Sequence, residues 1–282
     1  MLCDCHIHMV LDGENWRSAI ARHGTYPDDT FIRTTLESYR ARGYTYLRDG
    51  GDRWGAGHRA RELAVEYGIR YRTPLSPLCK AGHYGAFIGE TYRDFREYRD
   101  LVLKMRQNGA DFIKIMISGL MDFDRFGVLT ETGYAACEIS ELIHIAHSEG
   151  FSVMAHCNGA RPAQAAAEAG VDSIEHGAYL DHDALSAMAE NSTVWVPTIS
   201  TIANLRGTGR FSESAVAAIL SSAEENLRTF SAMGGLIAVG SDAGAWSVPH
   251  NADTELSHLR HILGSDADAI LAAGNQKILE KF

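Results

Sequence analysis

The order of apolar runs in the sequence predicts a parallel (β/α)8 barrel. Eight short strand-like runs recur along the 282 residues, and amphipathic helical patterns separate them. Each parallel step needs a crossover helix, and closing the sheet removes both exposed edges. An open doubly wound sheet would carry a glycine-rich phosphate turn after an early strand; Gly50-Gly51, in Arg48-Asp49-Gly50-Gly51-Asp52-Arg53, lacks that spacing.

The strands are expected at residues 2–8, 44–48, 71–75, 112–117, 152–156, 173–176, 194–198 and 236–240. Helices are expected at 30–42, 58–67, 92–107, 133–148, 162–169, 183–190 and 212–233, with terminal helices beyond Asp253. Several of these segments run into a closing glycine, among them Gly43 and Gly150, as a left-handed helix end requires. With no linker, repeat or low-complexity tract in view, one barrel domain over residues 1–282 is the expectation.

Bulk properties narrow the partners. Lys plus Arg number 26 against 36 Asp plus Glu, and the net charge of −10 argues against nucleic acid or an anionic membrane. There is no basic-then-apolar leader and no run near the roughly 20 apolar residues of a membrane span, so a cytoplasmic protein acting on a small molecule is expected. Five cysteines at irregular spacing in a chain of this size are expected to be reduced.

The chemistry gathers at strand ends. In Cys3-Asp4-Cys5-His6-Ile7-His8 the two imidazoles alternate along an extended strand and project together, a pair suited to one metal ion. Lys114 sits in the fourth strand, His156 ends the fifth, His176 ends the sixth, and the eighth runs into Asp242. In a barrel these carboxyl ends share one rim, where active sites are built. Any one histidine is more often a structural residue than a ligand. Lys114, set among Phe112, Ile113, Ile115 and Met116, is harder to dismiss, because burying an ammonium is costly. A neutral buried amine can add carbon dioxide, and the resulting carbamate could bridge two metals. With four histidines and Asp242 it would complete a site for two divalent ions, which share a water at roughly 3.5–4 Å separation. Zinc is the first choice for imidazole and carboxylate ligands; manganese, iron and cobalt fit the same set.

This set of residues, in this order, resembles the amidohydrolase superfamily. Asp4-Cys5-His6-Ile7-His8 is similar to its opening Asp-x-His-x-His, Tyr44 to Gly51 resembles its second-strand segment, and Lys114, His156, His176 and Asp242 fall where its later ligands stand. Phe112-Ile113-Lys114-Ile115, Ser118-Gly119 and Ala81-Gly82-His83 are most similar to the branch that cleaves Xaa-Pro dipeptides or acylated amino acids. The resemblance implies that His6 and His8 bind one ion with Asp242, that His156 and His176 bind the other, and that carboxylated Lys114 bridges them. It also implies that Asp242 moves the proton from water to the leaving nitrogen. Leu120 departs from the family, standing where the branch has glycine. The small β-sandwich common in the family has no counterpart in this sequence, so a bare barrel is expected, with an oligomer contact on the surface it uncovers.

Other residues have plainer readings. Strand parity points Cys3 and Cys5 away from His6 and His8, and Cys157 away from His156. His144 with His147, and His258 with His261, are expected on outer helix surfaces. His83 and Tyr84, on the loop after the third strand, are candidates for substrate contact; Arg125, residues 198–204 and residues 246–250 are expected to wall the site. The function expected is hydrolysis of an amide bond by metal-activated hydroxide. Lactone or cyclic amide hydrolysis draws on the same chemistry. A mononuclear deaminase of the superfamily would have a Glu soon after the fifth-strand histidine, and His156-Cys157-Asn158-Gly159 has none. A barrel that binds metal or ligand without turnover is the non-enzymatic alternative, against which stands Asp242 as a proton carrier.

Overall fold

A computed structural model describes residues 2–282. Its strands are β1 (Leu2–Ile7), β2 (Tyr44–Asp49), β3 (Arg70–Arg72), β4 (Leu78–Lys80), β5 (Glu90–Tyr92), β6 (Ile113–Met116), β7 (Val153–Cys157), β8 (Ser173–His176), β9 (Val194–Val196) and β10 (Leu236–Ile237). All pairings between these strands are parallel, in the orders β1-β2-β3 and β10-β9-β8-β7-β6-β4-β5.

Backbone hydrogen bonds join the two sheets into a barrel. On one side Cys5 N donates to Val239 O, Asp242 N to His6 O and His8 N to Ala243 O, each at 2.7 Å, so the first stave lies beside the last. On the other, Asp111 N donates to Thr73 O at 3.0 Å, bringing the chain after β3 against the start of β6. The third stave is therefore divided. β3 pairs with β2, β4 pairs with β6, and the segment between them holds Pro74 and Pro77, which have no N–H to give a ladder. The expected single strand at 71–75 thus becomes two short ones, and β5 is an additional strand outside the ring, paired with β4.

The helices follow the sequence pattern closely, with two short ones, Trp16–Arg22 and Ser200–Ala203, added on the rim side. Gly43 and Gly150 close their helices at φ 86° and 82°, a conformation that costs other residues a steric penalty. No helix among the described residues is long and apolar enough to cross a membrane.

Parity divides the core. Outward residues such as Ile113, Ile115, Val153, Ala155, Ile174 and Trp195 pack under the helices, while Phe112, Met154, Val194 and Val196 close the barrel floor with Ile278 and Phe282 of the last segment. Cys3 and Cys5 belong to this floor cluster, and Cys5 Sγ faces Asn275 Oδ1 at 3.8 Å. The β1 register slips between Asp4 and Ile7, so strict alternation does not run through the cysteines. Asp4, buried, fastens the two ends of the ring: it accepts from Ser241 N at 2.9 Å and from the Ser241 hydroxyl at 2.6 Å.

The last helix, Ala267–Lys281, seats against β10 through Gly274, where an added Cβ would collide with Ile237 O. Both sides of that contact are backbone and cannot yield locally. Gly274→Ala should lower stability by about 1–3 kcal/mol, read as a reduced urea midpoint with the helical circular dichroism retained. An unchanged midpoint would show that the helix is free to slide.

Candidate active site

The six residues expected to bind metal converge at the carboxyl ends of the staves. His6 and His8 ring centroids lie 5.3 Å apart, His6 and His176 5.1 Å, and His156 and His176 4.5 Å. Lys114 Nζ is 3.4 Å from His6 Nε2. Asp242 Oδ1 is 3.3 Å from His8 Nε2 and 3.5 Å from His6 Nε2. One atom from each of His6, His8 and Asp242 falls within 4.8 Å of the other two, so these three are already gathered as a ligand group.

A carboxylate that sequence reasoning missed sets the orientation of His6. Glu175 Oε2 lies 2.7 Å from His6 Nδ1, and Oε1 accepts from Arg48 Nη2 at 2.8 Å and from the Ser173 hydroxyl at 2.6 Å. Arg48 also donates to Cys5 O at 2.6 Å and stacks over Phe282 at 4.4 Å. His6, Arg48 and Glu175 are fully buried. Held by Glu175, His6 keeps its proton on Nδ1 and presents the Nε2 lone pair to the site. Strand parity carries the signal that could have found this residue: Ser173 and Glu175 share one face of β8, the face of Arg48.

His176 by parity would point outward. A left-handed backbone, φ 69°, turns it inward beside Glu175, and Thr198 (φ 48°) and Asp242 (φ 60°) share that conformation after the next two staves. His176 Nδ1 pairs with the Thr198 hydroxyl at 2.7 Å, and His156 Nε2 with Gly119 O at 3.2 Å, an oxygen that also accepts from Asn158 Nδ2. His8 packs on the bare backbone of Gly50, where any Cβ would strike its ring.

Burial shapes the electrostatics. It pushes the basicity of His6 and His176 well below the usual histidine range and brings His8 and His156 down to about 3, so the rings are neutral and their lone pairs available. It lowers the Lys114 amine and raises the Asp242 carboxyl in the same way. His8 Nδ1 and Asp242 Oδ1 are buried without a hydrogen-bond partner. The Nε2 lone pairs of His6 and His8 face a carboxylate oxygen, an arrangement that only a cation or a shared proton makes favourable. The donor set therefore fits a divalent metal ion held by His6, His8 and Asp242.

Above these residues opens a cavity of about 890 Å³. Tyr84 lines it, its ring 4.8 Å from that of His156. His83 turns outward instead: its Nδ1 is 3.3 Å from Glu131 and its ring abuts Tyr134. Of the rim segments, Leu120, Thr201 and Trp246 face the cavity, whereas Arg125 is engaged by Asp122 at 2.6 Å and His250 by Leu11 O at 2.9 Å. His147 is tied to Asp172 at 3.0 Å at the far end of the barrel.

No family model matches the chain. In sequence it is 26% identical to ochratoxinase from Aspergillus niger over 230 residues, which is 71% of this chain and 47% of that protein; the chain spans about half the length of the curated relatives it matches. In structure it superimposes on a Xaa-Pro dipeptidase with bound methionine at a TM-score of 0.79 (23% identity, 99% of this chain and 75% of the other). It superimposes on A. niger ochratoxinase at 0.78 (21% identity, 98% and 71%), and on a prolidase complexed with N-methylphosphonate-L-proline at 0.72 (25% identity, 99% and 71%). The chain thus shares over nearly its full length the barrel of the amidohydrolases, prolidases and ochratoxinase that it resembles.

Proposed function

We propose that the chain is a metal-dependent hydrolase that cleaves the amide C–N bond of a small molecule at the barrel mouth, a dipeptide or an N-acyl amino acid. The observation that carries this reading is the gathering of His6, His8 and Asp242, with a buried carboxylate oxygen left unpaired, at the base of an open cavity. The dipeptidase, prolidase and ochratoxinase similarities favour amide bonds over other carbonyl substrates.

In this reading His6, His8 and Asp242 would hold one ion and His156 and His176 a second, with a carbamate on Lys114 as a further ligand and zinc the first choice. Ions so held would lower the pKa of a water molecule and polarise the substrate carbonyl. Burial lowers the Lys114 amine to about 8, and its neutral form, once the ammonium proton is lost, bonds to the carbon of CO2 and releases a further proton, which leaves an anionic carboxylate on the side chain. Asp242, its carboxyl made more basic by burial, takes a proton from water and passes it to the leaving nitrogen. Glu175 holds the His6 proton on Nδ1 throughout, so the ring does not drift between tautomers.

Protein purified without chelator should contain close to two divalent ions per chain by elemental analysis, and hydrolyse members of a dipeptide and N-acyl amino acid library. Lys114→Ala should lower both metal content and kcat/KM, the latter by more than the roughly 10–100-fold that loss of an outer partner costs. Bicarbonate should speed reconstitution of the metal-free wild type and not of the variant. One ion per chain with no response to bicarbonate would remove the bridging carbamate; turnover of lactones in place of amides would reassign the bond cleaved.

Glu175→Gln keeps the shape of the His6 partner and removes its charge. Its affinity for added zinc should fall about 10–100-fold in a chelator competition. Asp172→Asn, which breaks the ion pair with Lys281 at the opposite end of the barrel, should leave zinc affinity unchanged while lowering stability. A Glu175→Gln competition curve that superimposes on wild type would limit Glu175 to a packing role.

A further inference from the structure

The cavity has aromatic walls that lead outward to cations. On one side His156, Tyr84, Phe87 and Trp16 follow one another with ring centroids 4.8, 6.0 and 5.4 Å apart, and Arg17 lies over Trp16 at 4.4 Å. On the other, Phe123, Phe211 and Trp246 follow at 5.3 and 6.1 Å, and Arg210 lies over Trp246 at 3.9 Å. All of these residues line the same cavity, and Trp16 and Trp246 are 44% and 37% exposed. Indoles so placed at a cavity mouth keep a large part of their surface in water, and a planar ligand set against them would displace it.

The two arginines differ in their surroundings. Neither forms an ion pair among the described residues. Glu14 shares the cavity lining with Arg17 and lies three residues before it in the chain. Asp122, the carboxylate that precedes Phe123 on the other wall, is already held by Arg125. Arg210 is therefore the cation left to a ligand. Stacked on Trp246, its guanidinium keeps its face covered and its edge N–H groups free, the presentation that suits a two-pronged contact with a carboxylate.

We propose that the cavity mouth binds a planar aromatic acid, its ring system lying along the walls of Phe87 and Trp246 and its carboxylate meeting Arg210. That this acid is part of the substrate, with the scissile amide below it at Asp242, rests on the hydrolase reading; the binding site itself does not. Leu120, lining the lower wall, and Met116 and Met121 beside it keep the passage apolar between the rim cation and the polar base. A ligand charged along its length would lose hydration there without compensation.

Calorimetric titration of the metal-containing protein with 2-naphthylacetate, 2-(2-naphthyl)ethanol and cyclohexylacetate tests the site without turnover. The aromatic acid should bind about tenfold more tightly than either comparator, one lacking the charge and the other the planar ring. Arg210→Met should weaken 2-naphthylacetate about tenfold and leave the alcohol unchanged. Arg210→Lys should recover part of the loss, and Trp246→Leu should weaken both naphthyl ligands. Equal affinity for acid and alcohol, an unaltered acid affinity in Arg210→Met, or no binding of any naphthyl ligand overturns the proposal. Parallel assays with N-(2-naphthylacetyl) and N-acetyl amino acids separate the two readings. Naphthyl binding with no hydrolysis of either counts against the hydrolase and upholds the site. Hydrolysis of the N-acetyl substrate with no naphthyl binding leaves the hydrolase standing and removes the aromatic-acid site.

Discussion

Charge buried inside the barrel is the constraint from which the site follows. Arg48, Glu175 and His6 are wholly removed from water and Lys114 nearly so, and an unpaired charge there would cost several kcal/mol or lose its proton state. The molecule meets that constraint in order along one line. Phe282 covers the face of the Arg48 guanidinium, Arg48 and Ser173 hold one oxygen of Glu175, and the other oxygen holds His6. Each link fixes the next. By the time the line reaches Nε2 of His6, the direction of its lone pair is determined by contacts that begin at the barrel floor. Glu175 is fully engaged before it touches the histidine, so it cannot turn to follow a misplaced ring.

The rim is built at a conformational cost. His176, Thr198 and Asp242 all adopt left-handed backbone after consecutive staves, worth about 1–3 kcal/mol each in strain. None of them is glycine or asparagine; histidine and aspartate have a modest tolerance for it, and the β-branched Thr198 has none. The conformation places two neighbouring side chains, Glu175 and His176, on the same side of β8, which regular strand geometry forbids. It also brings Asp242 back over His6 and His8, where the backbone bonds from Asp242 N to His6 O and from His8 N to Ala243 O hold it. Strain and closure occupy the same few residues. The hydrogen bonds that complete the ring between the first and last staves are the ones that keep Asp242 in its unfavourable conformation.

What the sequence discloses and what it hides divide along the same line. The eight-stave order was readable because outward residues such as Ile113, Ile115 and Trp195 repeat with the period of a strand and the helices between them have amphipathic faces. His6, His8, Lys114, His156, His176 and Asp242 were readable because their residue types are unusual at the ends of apolar strands, and the structure brings all six together. Glu175 was hidden by adjacency: Glu-His at a strand end reads as one site residue and one outward neighbour, and only the turned backbone of His176 makes both face inward. The divided third stave was hidden because its pairing depends on which neighbour lies on each side, a tertiary fact, although Pro74 and Pro77 marked the break. His83 and Tyr84 share one loop, and loop position alone does not say which of two consecutive side chains enters a cavity. In the structure the Tyr84 ring lines the cavity against His156, while the His83 ring turns to Glu131.

The apolar upper cavity and the charged base depend on one another. The neutral state of His6, His8, His156 and His176 comes first from the exclusion of water, to which Tyr84, its ring against His156, and the apolar Met116 and Leu120 that line the same cavity contribute. Were the walls polar, water would reach the rings, their basicity would return toward that of free histidine, and protons would compete for the lone pairs that gather at Asp242 Oδ1. The same walls set what can enter. A ligand must be apolar enough to pass Leu120 and Tyr84 yet carry a polar group that the base can engage, and any charge it bears is best carried at the rim, where Arg210 is still solvated. Selectivity at the mouth and ligand readiness at the base therefore arise from a single property of the cavity, its low polarity, and a substitution that admits water at the rim would be felt at His156 before it altered the shape of the site.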